Sequence, residues 1–439
     1  MLFDSSMEKE EEWVNMFFIV YVIPLSIILF FYLRRRKRKH LAAVRVLQGS
    51  YESGLTEPAS LHPIIDPALC LGCGNCVLAC PEGDILGIIH GKAALVKPTN
   101  CIGHGACKAE CPQSAIELVL GTEKRGVEVP VADTNFETNV PGLFVAGEIT
   151  GMGLVKNTIA QGTLVMNEAA KYATKDETLD VVIVGIGPAG LAASLRAKEL
   201  GINFVTLEQD SIGGTIAHYP RGKIVMTAPV DLPGYGKVKI RETSKESLLE
   251  LWNDAIEKTG LEPYIQTGHK VKSIKRESEC LVVETPTDTY QARAVILAIG
   301  RRGSPRQLGV PGEEKTKVVY RLIDPEQYIG QKVLVVGGGD SALEAAVSIS
   351  EEKGTEVTLC YRGDAFSRAK PANRERVENS RVNVMMSATP KTIHEETVCM
   401  TNGEEIKNDA VIVCIGGELP TGFLRDSGID IEVRHGELE

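Results

Sequence analysis

The strongest constraint on the fold is a glycine-rich turn that joins an apolar strand to a helix. The strand Val181–Val184 leads into Gly185, Gly187 and Gly190, spaced as G-x-G-x-x-G, and a helical pattern follows. Glycines at this spacing let the backbone approach a pyrophosphate at the start of the helix. Glu208 ends the next strand, 23 residues after the first glycine, where a carboxylate meets ribose hydroxyls. The pattern predicts a dinucleotide-binding α/β unit.

A second turn of the same kind follows the apolar stretch KVLVV. Gly337, Gly339 and Ala342 take its three spaced positions. No acidic residue closes the following strand; Arg362 stands there, with Arg368 six residues further on. A guanidinium at this place meets a 2′-phosphate, whereas a carboxylate favours the free hydroxyl. We therefore expect NADPH at this second unit, with NADH as the alternative and two solvated surface arginines as the plainer interpretation.

Seven of the eleven cysteines lie in two clusters upstream of both turns. The clusters read Cys70-x2-Cys73-x2-Cys76-x3-Cys80-Pro81 and Cys101-x2-His104-x2-Cys107-x3-Cys111-Pro112. Closely spaced thiols that end before a proline are typical of iron–sulfur ligation. Zinc sites favour C-x2-C pairs separated by a longer gap, and the cysteine density is too low for a disulfide scaffold. The spacing therefore predicts iron–sulfur clusters.

This repeated motif resembles the bacterial two-cluster ferredoxins, in which the cysteine before the proline reaches across to the other cluster. The resemblance implies one ligand set for each cluster. The first cluster is held by Cys70, Cys73, Cys76 and Cys111, and the second by Cys80, Cys101 and Cys107, with His104 where a fourth cysteine is expected.

His104 is a departure from the ferredoxin pattern, and three interpretations stay open. The second cluster is 4Fe–4S with an imidazole ligand, or 3Fe–4S with His104 as a bystander, or it has been lost. Ferredoxins with another residue at this position often hold three irons. An imidazole in place of a thiolate would raise the reduction potential, as histidine does in Rieske centres.

Two nucleotide units in one chain resemble the two-dinucleotide-binding flavoproteins, and the thioredoxin-reductase-like branch fits best. The resemblance implies FAD at the first unit and NADP (or NAD) at the second. It is also carried by Gly213, Gly214 and Thr215, by residues 294–313 with Gly300, and by residues 409–424 with Gly416. In this family the nucleotide domain rotates to bring the nicotinamide to the flavin, and homodimers are expected.

The redox-active C-x2-C pair of thioredoxin reductases is missing. Residues 318–321, Val-Val-Tyr-Arg, occupy the matching stretch. The four cysteines outside the clusters are isolated and are interpreted as small buried hydrophobic residues: Cys280, Cys360, Cys399 and Cys414. No catalytic residue is assigned, and His218, His269 and His394 are treated as surface or core residues because sequence shows no partner for them.

The last piece that the family requires, a strand and a helix that face the flavin, is found upstream, in residues 137–171. Gly147 and Glu148 stand there for the usual Gly-Asp, and the carboxylate can still accept hydrogen bonds from the ribityl chain. The helix that follows can direct its positive end at the flavin. We therefore interpret the flavoprotein as circularly permuted, the alternative being that this segment is a linker.

The N-terminal 40 residues contain a 21-residue run without charge, from Trp13 to Leu33. A bilayer core needs roughly 20 apolar residues in a helix, so the run predicts a transmembrane helix; a buried core helix is the alternative. Six basic residues follow it (Arg34, Arg35, Arg36, Lys37, Arg38 and Lys39), which predicts an outside N-terminus and soluble domains in the cytoplasm. The net charge of −10 argues against a nucleic-acid partner.

The predicted fold class is α/β, with two Rossmann-like domains for FAD and NAD(P), a small α+β two-cluster ferredoxin domain and one N-terminal transmembrane helix. The predicted organisation is an acidic tail (1–12), the transmembrane helix (13–33), a basic juxtamembrane segment and linker (34–62), the ferredoxin-like domain (63–120), the permuted closing segment (121–175), the main FAD domain (176–310), the NAD(P) domain (311–416) and a return segment (417–439).

These patterns favour a membrane-anchored NAD(P)H-dependent flavoprotein oxidoreductase. Electrons would pass between a nicotinamide, FAD and the iron–sulfur clusters, to or from a ferredoxin-like partner or a membrane electron carrier, because a flavin links two-electron and one-electron carriers. Two alternatives stay open. One is a reductase of a disulfide, a sulfur compound or a quinone; the other is a non-enzymatic redox relay or sensor subunit.

Overall fold

The computed structural model describes residues 16, 18–58, 61–174, 178–219, 224–226, 229–239, 242–301, 303, 305–366 and 369–436. The chain divides into two compact units. The first comprises residues 1–56, 62–101 and 105–118, and the second residues 57–61, 102–104 and 119–439.

The N-terminal helix of the first unit differs from the prediction. A π-helical turn, Phe18–Val22, is followed by one α-helix, Ile23–Glu52, which runs from the apolar run straight into the basic residues. Within the described part of the chain, no helix is long and apolar enough to cross a membrane, so the span predicted over 13–33 is not found. The acidic tail 1–12 and residues 13–15 and 17 lie outside the described residues.

The rest of the first unit is a small α+β fold with an internal repeat. Each cysteine cluster contains a short helix that begins after a glycine in the left-handed conformation, Gly74 (φ 84°) and Gly105 (φ 81°). The unit also contains two strand pairs, one of which is the hairpin of Leu86–Ile89 and Lys92–Leu95. The elements are His62–Ile65, Asn75–Ala79, Leu86–Ile89, Lys92–Leu95, Ala106–Ala109 and Ile116–Val119, with the first strand paired to the last.

The second unit contains two α/β domains, and the first is built on a seven-stranded sheet. Five of its strands are parallel and two complete an antiparallel meander. In spatial order the strands are Ile265–Thr267, Phe204–Glu208, Leu179–Val184, Thr289–Leu297, Cys280–Glu284 and Ser273–Glu277, and Leu143–Val145 pairs with the long strand Thr289–Leu297. This first α/β domain contains the predicted closing segment and the first glycine turn.

The upstream strand Leu143–Val145 lies parallel to the carboxyl half of Thr289–Leu297, with Leu143 opposite Val295. The helix that follows it, Val155–Ala169, packs on the helix Pro188–Leu200 after the first glycine turn. A Cβ atom on Gly162 would lie 2.0 Å from the carbonyl oxygen of Ala189, so this close helix contact requires glycine. Residues 143–169 are therefore an integral part of the first α/β domain.

The second α/β domain has a five-stranded parallel sheet and a three-stranded antiparallel meander. The sheet order is Val318–Val319, Ala410–Val413, Lys332–Val336, Glu356–Cys360 and Asn383–Met385. The meander consists of Pro390–Ile393, Thr397–Met400 and Glu405–Lys407. The helix Asp340–Ser350 follows the central strand, and Pro371–Glu378 packs beside it.

Shorter elements complete the second unit. They are the strand pairs Val127–Pro130 with Ile431–Arg434, Val230–Leu232 with Gly236–Val238, and Ile224–Met226 with Glu242–Ser244, and the helices Lys245–Thr259 and Thr421–Asp426. The return segment 417–436 thus rejoins the first α/β domain through its pairing with Val127–Pro130.

Candidate functional site

The first glycine turn forms one wall of a cavity of about 800 Å³, which we call the large cavity. Gly185 has φ +95°, a conformation that side chains rarely adopt, and a Cβ on Gly190 would lie 1.8 Å from the carbonyl oxygen of Gly185. A Cβ on Gly187 would meet no atom within 4 Å. Two of the three glycines are therefore needed for the turn itself, and Gly187 leaves room for a ligand against the backbone.

Glu208 lies at the carboxyl end of its strand and is 6% exposed. Its carboxylate accepts hydrogen bonds from the backbone N–H of Ile186 (2.9 Å) and of Asp210 (3.0 Å). A carboxylate accepts several hydrogen bonds, so it can also bind hydroxyl donors in the cavity. The two backbone donors fix the side chain where a ribose would lie.

The upstream closing segment contributes Gly147 and Glu148 to the lining of the same cavity. Gly147 has φ +88°, and its N–H donates to the side-chain oxygen of buried Gln161 at 2.9 Å. Gln161 in turn donates to the hydroxyl of Thr150 at 3.1 Å. Gln161 thus fixes the turn that presents Glu148 to the cavity, although no sequence pattern singled it out.

Most of the residues predicted for FAD lie on this one cavity. They are Gly147, Glu148, Gly185, Gly187, Glu208, Gly214, Thr215 and Gly300. Gly190 and Gly213 are not among the lining residues and act from behind the wall: Gly213 has φ +110°, and a Cβ there would lie 2.5 Å from the side chain of Leu249.

The residues present fit FAD. Ligand cavities are roughly 300–1,000 Å³, and a dinucleotide needs the upper part of that range. Two helices, Pro188–Leu200 and Val155–Ala169, begin at the cavity wall, where Pro188 and Val155 line it. Their N-terminal dipole ends favour a negative pyrophosphate or a reduced flavin. When bound, FAD would link two-electron and one-electron carriers.

Several charged or titratable residues that were not assigned to a site line this cavity, among them Asp210, His218 and Arg321. The Asp210 carboxylate lies 3.2 Å from Nε2 of His218 and 3.8 Å from Nη2 of Arg321. His269 also lines the cavity, and both histidines, which were expected to be surface or core residues, are partly exposed. Arg321 comes from a distant part of the chain, so a local sequence pattern does not reveal its approach to Asp210.

The second glycine turn lies at the carboxyl edge of the five-stranded sheet. Gly337 has φ +147°, and a Cβ there would lie 2.3 Å from the carbonyl oxygen of Cys414. Gly339 caps the helix in which Ala342 is buried. Arg362 is exposed just after the strand Glu356–Cys360. These positions suit a nucleotide phosphate at the helix start.

Two other residues predicted for the nucleotide have different outcomes. Gly416 follows the strand Ala410–Val413 with φ +90°, and its carbonyl accepts a hydrogen bond from the N–H of Arg306 at 3.0 Å. Arg368 lies outside the described residues.

The four cysteines assigned to the first cluster line one cavity in the first unit: Cys70, Cys73, Cys76 and Cys111. Backbone N–H groups of Gly72 and Ala93 donate to the sulfur of Cys70, each at 3.4 Å, and that of Ala115 donates to the sulfur of Cys111 at 3.3 Å. Such N–H···S bonds stabilise thiolates and tune cluster potentials. Among the described residues, no three potential ligands are arranged to hold a single metal ion. The donor set suits a cluster.

Burial raises the pKa of the Cys76 thiol to about 11, with neighbouring Cys70 and Cys73 adding to the rise. A buried thiol of this kind remains protonated at neutral pH, so binding iron would release protons. In the described part of the chain, none of the eleven cysteines is joined in a disulfide.

The second cysteine set is brought together only in part among the described residues. Burial raises the pKa of Cys107, and the charge of Cys80 raises it further. These two side chains are therefore neighbours. Cys101 is half-buried in the same unit. His104 belongs to the segment 102–104, which is grouped with the second unit. The cluster type at this set stays a prediction.

The fold and these sites define an α/β oxidoreductase with flavin and nucleotide domains and a ferredoxin-like domain. A family model for pyridine nucleotide-disulphide oxidoreductases matches residues 182–437, and one for 4Fe-4S dicluster domains matches residues 62–112. The first match covers more than half of the chain, so the chain belongs to the pyridine nucleotide-disulphide oxidoreductase family and is an enzyme.

Individual relatives agree with this family. The chain is 32% identical over 219 residues to a ferredoxin–NADP reductase of Ignicoccus hospitalis, covering 49% of this chain and 66% of that protein, slightly less than two thirds. It is 27% identical over 267 residues to the bacilliredoxin reductase Bdr of Bacillus subtilis, covering 58% and 82%. The solved bacillithiol disulfide reductase Bdr from Bacillus cereus aligns with a TM-score of 0.51 and 26% identity, covering 57% and 81%.

Proposed function

We propose that this enzyme transfers electrons between NADPH and a one-electron redox protein, through FAD in the large cavity and the iron–sulfur cluster at Cys70, Cys73, Cys76 and Cys111. The acceptor or donor is a ferredoxin-like protein, in keeping with the likeness to the ferredoxin–NADP reductase of Ignicoccus hospitalis. The chain's own residues bind and orient the groups: Glu208 holds a ribose, the two helix starts face the pyrophosphate and flavin, and the four thiols hold iron.

The observation that carries this proposal is that the second α/β domain presents an arginine, and not a thiol, to the large cavity. Arg321 lines the cavity, in the stretch that matches the redox-active thiol pair of thioredoxin reductases. Of the cysteines in the second unit, Cys360 is fully buried, and burial raises its pKa to about 12. Among the described residues, no cysteine lines the large cavity. The thiols of the chain that lie together are those of the cluster sets.

The decisive experiment is an anaerobic titration of the purified protein, first with NADPH and then with NADH, followed by absorbance and electron paramagnetic resonance. We expect loss of the oxidised flavin absorbance, followed by reduction of the cluster, with NADPH effective at lower concentration. Absence of bound FAD, or a flavin that neither nucleotide reduces, would overturn the proposal. Steady-state NADPH oxidation with a ferredoxin separates an enzyme from a slow relay or sensor.

A second candidate function is reduction of a low-molecular-weight or protein disulfide. It is favoured by the likeness to the bacilliredoxin and bacillithiol disulfide reductases. The same reduced protein should be mixed with bacillithiol disulfide and, separately, with an oxidised ferredoxin. Faster reoxidation by the disulfide would favour this second function, and faster reoxidation by ferredoxin would favour the first.

We also infer that the flavoprotein part is circularly permuted. The inference is supported by the pairing of Leu143–Val145 with Thr289–Leu297 and by the start of the family match at residue 182, after that strand. A chain re-engineered with residues 121–175 moved behind residue 436 should still bind FAD. Loss of FAD binding in a soluble, folded protein of that order would contradict the inference.

Three further expectations stay predictions from the sequence. They are the location at the membrane with the domains in the cytoplasm, the iron count of the second cluster, and the homodimer. The preference for NADPH rests on Arg362 and is tested below.

A further inference from the structure

The guanidinium of Arg321 connects the two α/β domains of the second unit. Arg321 follows the strand Val318–Val319, whose partner is Ala410–Val413 in the five-stranded sheet. Its side chain reaches the large cavity of the other domain, where Nη2 lies 3.8 Å from Oδ2 of Asp210. Both side chains are about half exposed, so their attraction is modest and easily changed.

Two chain segments also link these domains, residues 298–317 and 414–420. They run side by side: the N–H of Gly303 donates to the carbonyl of Glu418 at 3.0 Å, and Pro305 forms a β-bridge with Gly417. Both connections cross at one place, which leaves the domains free to turn about it. The pair of Arg321 with Asp210 lies outside these two connecting segments, so it can help to decide which orientation is favoured.

His218 shares the Asp210 carboxylate with Arg321. Its Nε2 lies 3.2 Å from the same oxygen, Oδ2. Burial lowers the pKa of His218, as do the charges of Arg321 and Lys245, while Asp210 and Glu208 raise it. Because the pKa lies below the usual 6.5, the imidazole is neutral at pH 7.5 and leaves the carboxylate to Arg321. A protonated imidazole would compete for that carboxylate and repel the guanidinium.

We propose that Arg321 is a positioning residue that holds the second α/β domain against the large cavity through Asp210, and that protonation of His218 releases it. Orientation of the nucleotide domain is then coupled to pH by three side chains from two domains. The proposal rests on these contacts and not on the identity of the electron acceptor, so it can fail or succeed independently of the proposed function.

Hydrogen–deuterium exchange of the purified full chain tests the contact without relying on flavin or activity. At pH 7.5 we expect Arg321→Gln to increase exchange about threefold in peptides covering 316–322 and 208–219. Arg321→Lys keeps the positive charge and should keep the exchange rate of the wild type. Asp210→Arg and Arg321→Asp should each increase exchange, and the double charge swap should restore protection. Arg376→Gln is the matched control, because Arg376 lies 3.7 Å from Glu351 on the same domain, away from the cavity.

The pH dependence tests the role of His218. After correction for intrinsic exchange rates, the wild-type protein should lose protection in the two peptides between pH 7.5 and pH 5.0, and His218→Asn should not. If Arg321→Gln behaves like Arg376→Gln, Arg321 does not hold the domains together. If His218→Asn loses protection on acidification as the wild type does, another group is responsible. Either result would overturn the corresponding half of the proposal.

Discussion

The side-chain oxygen of Gln161 accepts a hydrogen bond from the backbone N–H of Gly147 at 2.9 Å inside the protein. Gln161 is 5% exposed, and its amide also donates to the hydroxyl of Thr150. The turn that carries Glu148 into the large cavity is therefore fixed by a helix residue that does not line the cavity.

Replacing this amide tests its role. Gln161→Leu leaves the N–H of Gly147 without its acceptor, and an unsatisfied buried donor costs about 1–3 kcal/mol of unfolding free energy. We expect a lower melting temperature and about tenfold weaker FAD binding, which corresponds to about 1.4 kcal/mol. Calorimetry and flavin release measure these effects. Gln331→Leu, in the second α/β domain, is the control, and equal effects from the two variants would contradict the assignment.

The two glycines Gly187 and Gly190 should respond differently to alanine. A Cβ at Gly190 would lie 1.8 Å from the carbonyl oxygen of Gly185, so Gly190→Ala should destabilise the fold by about 1–3 kcal/mol and abolish FAD binding. Gly187→Ala meets open space and should keep the stability of the FAD-free protein while weakening FAD binding. Thermal unfolding with and without FAD separates these outcomes. Similar melting temperatures for both FAD-free variants would argue against the packing explanation.

The exposed thiol of Cys73 should be required for the first cluster only. Cys73→Ser removes one of the four sulfur ligands, and we expect the iron content to fall by about four atoms per chain. Cys399→Ser, far along the chain in the second α/β domain, should leave the iron content unchanged. Iron analysis and resonance spectra of anaerobically purified proteins make the comparison. An unchanged iron content in Cys73→Ser would remove Cys73 from the ligand set.

Arg362 should decide the choice of nucleotide. Arg362→Glu places a negative charge where we expect the 2′-phosphate, so the KM for NADPH should rise at least about tenfold, while that for NADH changes less than about twofold. Lys391→Glu changes another exposed cation of the same domain and serves as the control. Steady-state kinetics with both nucleotides provide the measurement. Parallel changes for NADPH and NADH would show that Arg362 does not contact the phosphate.

Local patterns predicted the parts of the site whose geometry is local. Gly185 and Gly190 are needed because the turn folds back on itself within six residues, and Cys70, Cys73 and Cys76 share a cavity because of their spacing. Most of the residues that those patterns predicted for FAD line the large cavity. The transmembrane helix predicted over residues 13–33 was not found in the described part of the chain, where the helix Ile23–Glu52 also contains the basic residues.

Contacts between distant residues could not be predicted. Asp210 lies close to Arg321, although more than one hundred residues separate them in the sequence. No sequence motif marks either position. His218 faces the large cavity because a short helical turn, Gly214–His218, follows a glycine with φ +110°. Such contacts depend on how the two α/β domains pack, which is a property of the folded chain.

The pairing of Leu143–Val145 with Val295–Leu297 has a consequence for how the protein is made. The upstream strand leaves the ribosome about 150 residues before its partner. At a synthesis rate of roughly 5–20 residues per second, it has no pairing strand for many seconds. During that interval three apolar residues that end fully buried remain available to other chains. A chaperone that covers this segment during synthesis would therefore matter more for the yield of folded enzyme than for its final stability.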